Sequence, residues 1–112
     1  MDNLLARLER LEYHQKLLMG MIRLDGYEFN RLIIDKNLDE KEVREFFNLC
    51  EEMNKEMKEQ KADKFVFYAP LFNEFLYKLN PKLDPQELIG ACLKQGVYSD
   101  LMTVFQKNIR KR

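Results

Sequence analysis

Leu4, Leu8, Leu11, Gln15, Leu18 and Ile22 follow one another at intervals of four and three, and similar intervals recur along the rest of the chain. An α-helix turns once every ~3.6 residues, so positions spaced this way share one face, whereas a strand needs intervals of two. Three prolines and four glycines are all the backbone punctuation in 112 residues, and most of it marks the ends of periodic runs. The pattern predicts an all-α fold: a multihelical bundle of five to six helices in a single domain over 1–112, with a long amphipathic N-terminal helix.

The first run extends from Asn3 to about Leu24, interrupted by Gly20, and "LDG" reads as the turn after it. A short second run, Tyr27 to Lys36, sets Phe29, Leu32 and Ile33 on one face. Asp39 with Glu42 three residues later forms a capping box, so a third helix is expected from Glu40 to about Ala62. Its stripe is Val43, Phe46, Phe47, Cys50, Met53 and Met57, and its length suggests a far end that meets another chain or stands in solvent. Pro70 opens a fourth run carrying Leu71, Phe72, Phe75, Leu76 and Leu79, which Asn80 and Pro81 stop. Asp84, Pro85 and Glu87 repeat the start signal for a fifth helix to Gln95, burying Leu88, Ile89, Cys92 and Leu93, and Gly96 is placed for a left-handed end. A sixth begins near Ser99 or Asp100 and carries Leu101, Met102, Val104, Phe105 and Ile109.

The stretch "KFVFYAPLFNEFLYKL", Lys64 to Leu79, is dense in aromatic residues. A base-stacking platform sets its rings on an open face among Lys and Arg. Here most rings after Pro70 fall at core spacing, with only Lys64 and Lys78 flanking them, so the stretch is expected to be core. Phe65 and Phe67 read as a short extended piece or a staple, and Tyr68 and Tyr77 lie off the stripe with their hydroxyls toward water.

Catalytic chemistry finds little to work with. The one histidine, His14, has no acidic partner four residues away, and Cys50 and Cys92 sit on apolar stripes without a CxxC. No metal cluster, no phosphate loop and no cofactor motif is present, so no catalytic, cofactor-binding or metal residue is assigned and no enzyme is expected. Nineteen basic residues balance nineteen acidic ones, which removes the long-range field that draws a protein to nucleic acid or an anionic membrane. A nucleic-acid-binding regulator using the helical hairpin 85–110 and the basic tail is the alternative reading. Against it, Asp100 stands where a DNA-reading helix approaches phosphate, and Lys107, Arg110, Lys111 and Arg112 sit at the wrong end. No run approaches the ~18 apolar residues of a membrane-spanning helix. The charged start "MDNLLARLER" reads as no secretory signal, so the two thiols are expected to be reduced in a cytoplasmic protein.

Four strings, "RLERLEY", "LIIDKNLDEKE", "EQKADKFVFYAPLFNEF" and "KLDPQELIGACLKQGVYSDLMTVF", together resemble the YhaI-like family of small bacterial proteins, a domain of unknown function in Bacillus and its relatives. The likeness runs through nearly the whole chain in order, with Gly20 as a departure. It implies an all-helical, oligomeric, cytoplasmic protein with no assigned activity, and it brings no functional residues with it.

The first helix carries the sharpest expectation. With Leu4, Leu11 and Leu18 at heptad position d, and Leu8, Gln15 and Ile22 at position a, a coiled-coil seam holds for about three heptads. Arg7 falls at g and Glu12 at the following e, so a parallel neighbour pairs them, and apolar Leu5, Met19 and Met21 at e or g widen the stripe. Leu4, Leu8, Leu11, Gln15, Leu18 and Ile22 are therefore expected to form a homo-oligomer interface, in a dimer or trimer, through an N-terminal helix 1–24 that is part of the domain. The expected role is a structural or protein-interaction module, with a second, unidentified protein partner allowed.

Overall fold

Capping side chains, at Asn3, Asp39 and Asp84, start three of the six described helices. In a computed structural model describing residues 3–23, 25–62 and 68–110, the Asn3 side chain accepts the Ala6 N–H at 2.7 Å and opens helix α1, Leu4–Met21. Gly20 is accommodated within it, and Ile22 ends it in an extended conformation, so the helix stops short of residue 24. Gly26, at φ 87°, makes the turn into α2, Glu28–Asp35, and its N–H donates to the Glu28 carboxylate at 3.1 Å. Helix α3, Glu40–Ala62, opens on the complete capping box: the Glu42 N–H donates to Asp39 at 2.8 Å and the Asp39 N–H donates to Glu42 at 3.1 Å.

Helix α4, Tyr68–Lys78, begins two residues before Pro70, which sits in its first turn. Helix α5, Pro85–Gln95, has its Asp84 cap, accepting the Glu87 N–H at 2.9 Å, but Glu87 turns its carboxylate to Lys36 at 3.4 Å instead of closing the box. Gly96 ends α5 at φ 79°. Helix α6, Ser99–Arg110, follows directly. The described residues are thus all-helical, with no strand among them.

Helices α2 to α6 make the packed body: α2 lies on α5, α5 on α6, and α3 and α4 pack on each other and on α6. Phe72 and Phe75 are buried at its centre, with their rings 5.4 and 4.6 Å from that of Phe105. A second aromatic pair, Phe29 on Phe46 at 5.5 Å, joins α2 to α3. The aromatic stretch after Pro70 is core, with Tyr68 and Tyr77 exposed beside it, while Phe65 and Phe67 lie outside the described residues.

Three details differ from the sequence reading. Phe47 is exposed rather than buried, stacked at the surface between Phe29 and Tyr98. Leu49, which the expected stripe omitted, is buried, and Leu93 is only half-buried. The far end of α3 is divided: Met53 and Met57 are buried in the core that also holds Leu71 and Leu101, while the last turn, 58–62, stands mostly in solvent, one of the two expected outcomes. An overlong third helix therefore gives no support to a partner chain. The molecule measures 64 × 25 × 23 Å, and its elongation fits a body from which α1, about 27 Å long, extends.

Candidate oligomerisation surface on the N-terminal helix

Helix α1 contributes no buried residue to the fold. Leu4, Leu8, Leu11, Leu18 and Ile22 are 47–70% exposed, and Gln15 stands exposed among them. All six residues expected at the interface lie in or immediately after one helix, and its 3.6-residue turn brings them onto one face. Each alone is unremarkable on a protein surface; a row of five large aliphatic side chains, broken only by Gln15, is not, because their removal from water is favourable.

The opposite side of α1 is apolar too. Tyr13 and Leu17, spaced by four, are exposed at 60 and 49%, and Met21, which flanks the first row at g, is exposed at 72%. Sequence reasoning missed this second row because it sought one stripe, although the spacing of four was there to be read. Between the rows run two polar flanks. One carries Glu9, Glu12 and Lys16, and the other Arg7, Arg10 and His14.

At its C-terminal end α1 meets α2. There Met19 and Ile22 face Tyr27, Asn30, Arg31 and Ile34 across an open groove of about 290 Å³ whose walls are almost wholly apolar. Ile22 belongs both to this groove and to the long row. Exposed Tyr27 and Ile34 therefore continue the apolar surface beyond the helix; spacing alone could not reveal this, because neither residue belongs to the buried face of α2.

Elsewhere the polar groups tie helices together. The Glu42 carboxylate accepts from the Asn80 amide at 2.8 Å and from Lys82 at 3.0 Å, linking the start of α3 to the loop after α4. With the Asp39 N–H as a further donor, its pKa falls from an ordinary 4.5 to about 2. Lys78 bridges Glu52 at 2.7 Å and Glu74 at 3.1 Å, which raises its own pKa. Beside it, desolvation and a hydrogen bond with Glu74 raise the pKa of Glu56. These carboxylates clamp α3 against α4.

Nucleophile and base are kept apart. His14 is exposed on α1, while Cys50 and Cys92 are fully buried free thiols in the core. Burial lifts both thiols, Cys92 to about 12 and Cys50 further, with the neighbouring Cys92 and Glu51 adding to the effect on Cys50. Thiolate chemistry is correspondingly suppressed. Among the described residues no cluster of three or more His, Cys, Asp or Glu side chains could hold a metal ion. The hairpin of α5 and α6 presents exposed Asp100 in the first turn of α6, and the Thr103 hydroxyl donates to the Ser99 carbonyl at 2.7 Å. No helix among the described residues is long and apolar enough to cross a membrane.

The class defined by these features is an all-helical domain carrying an uncovered apolar helix. A family model described as a protein of unknown function, DUF1878, matches residues 1–110, and the chain belongs to that family.

Proposed function

We propose that this protein is a non-catalytic helical module whose role is to join copies of itself, as a dimer or trimer, through α1. The observation that carries the reading is the exposure of Leu4, Leu8, Leu11, Leu18 and Ile22 on a helix that buries nothing in its own chain. A surface helix of a monomer keeps its apolar face on the core and its polar face in water; α1 has the apolar face without the core. Association supplies that cover, and the assembled body displays a helical surface to a further protein. Two buried free thiols suit a reducing, cytoplasmic setting. The four sequence strings resemble those of the YhaI-like proteins of Bacillus and its relatives, and that resemblance agrees with membership of a family of unknown function.

Molar mass by light scattering at micromolar concentration tests the proposal. The parent is expected at a multiple of 13.6 kDa, and the Leu8→Glu, Leu11→Glu double variant at or near the monomer. A monomeric parent, or a folded double variant that keeps the parent's mass, removes the reading.

A further inference from the structure

We infer that α1 packs against α1 of a second copy in parallel and in register, with Gln15 opposite Gln15 and Arg7 beside Glu12. The inference rests on the self-association just proposed and concerns its geometry.

Gln15 is the one polar residue in the exposed row, which otherwise holds Leu4, Leu8, Leu11, Leu18 and Ile22. Once two rows meet, its amide leaves water, and a buried amide without a partner is costly. In an antiparallel pair each a residue faces a d residue of the other helix. Every d residue here is leucine, so Gln15 then meets Leu4, Leu11 or Leu18 in any such register, and both amides go unpaired. A parallel pair displaced by one heptad sets Gln15 against Leu8 or Ile22, with the same result. The parallel, unshifted pair brings the two amides together, where each can donate to and accept from the other.

The flanks of the row point the same way. The g side carries Arg7 and His14, and the e side carries Glu12. Parallel helices set g against e, so each Arg7 meets a Glu12. Antiparallel helices set g against g and e against e; the register that matches the rows end to end, Leu4 opposite Ile22, then puts Glu12 against Glu12. Opposite charges across such a seam decide orientation even where each pair adds little affinity. The parallel arrangement also brings the two Met19–Ile22–Tyr27–Ile34 grooves to the same end of the seam.

Cysteine cross-linking distinguishes the arrangements, because the native thiols Cys50 and Cys92 are fully buried and the parent gives a clean background. Leu4→Cys and Ile22→Cys chains, one carrying a mass tag, are co-expressed and mildly oxidised. Expected are 4-to-4 and 22-to-22 covalent dimers and no 4-to-22 species. A 4-to-22 product, or no cross-link from chains that light scattering shows to be associated, overturns the orientation and leaves the self-association standing. A monomeric mass sinks both. Gln15→Leu is expected to stay associated and to gain the 4-to-22 product, since the amide that selects the register is gone. If it still gives only like-to-like products, Gln15 is not the selector.

Discussion

Phe75 shows how much a single ring can carry in this fold. It is fully buried, with its ring 4.6 Å from that of Phe105. Phe75→Ala is expected to cost about 3–5 kcal/mol, the range for truncating a buried Phe, and a urea midpoint that barely moves would place the ring outside the load it is assigned here. Glu42 sets a pH response. Its folded pKa of about 2 lies below the ordinary 4.5, the largest cause being the hydrogen bond from Asn80. A depressed carboxylate contributes fully above pH 4.5 and loses that contribution as the pH falls toward 2. Glu56 acts in the opposite sense: its raised pKa favours the fold below its ordinary value and withdraws that support as pH rises through the folded value. Glu42→Gln is therefore expected to flatten the acid limb of the stability curve between pH 4.5 and 2, read from urea midpoints against pH. Parallel curves for variant and parent would contradict the assignment.

At the scale of elements, the helices were legible wherever a boundary has a local cause. Asp39 with Glu42, Asp84 before Pro85 and Gly96 after Gln95 are each decided within four residues; α3 begins, and α5 begins and ends, where those signals stand. What local chemistry cannot decide is which side of a stripe the neighbouring helices cover. Phe47 and Leu49 flank the same face of α3, yet Leu49 is buried and Phe47 stays at the surface beside Tyr98. Tyr98 itself adopts φ 50°, uncommon for so large a residue, with its hydroxyl 2.7 Å from Glu51 across on α3. Two glycines give a paired test of the element reading. An added Cβ at Gly90, inside α5, meets nothing within 4 Å, and at Gly96 the nearest atom is Ser99 Oγ at 4.0 Å, so space is not the issue at either. Conformation is. Gly90→Ala is expected to stabilise by about 0.5–1 kcal/mol, because alanine suits a helix interior better. Gly96→Ala, at φ 79°, is expected to destabilise by about 1–2 kcal/mol. Thermal or urea unfolding of the two variants should shift in opposite directions, and a shared direction would show that something other than backbone preference governs these sites.

For the whole molecule, the row on α1 could be read from spacing, but whether it faces its own core could not, because apolar residues at helical spacing look the same in sequence whichever body covers them. The fold supplies the missing fact: α1 buries nothing, while α2 to α6 close a core without it. The second row and the groove at Tyr27 and Ile34 needed the tertiary arrangement, since the residues that line the groove come from two elements. A separation between α1 and the core has a thermodynamic consequence. If the row is covered by another copy, the folded state is linked to association, and the unfolding temperature rises with protein concentration by mass action. If the row is covered by its own chain, concentration has no effect and charging the row damages the core. Leu8→Glu with Leu11→Glu separates these cases, because both leucines are about half exposed or more, at 47% and 61%, in the single chain. The expected outcome is a parent whose melting temperature climbs over a hundredfold range of concentration, and a double variant that unfolds cooperatively at one temperature throughout that range. Circular dichroism of the variant should retain its helical signal, since the core around Phe72, Phe75 and Phe105 is untouched. A parent with a concentration-independent melt, or a double variant that loses its fold at high dilution and high concentration alike, would mean that α1 belongs to its own chain's core after all.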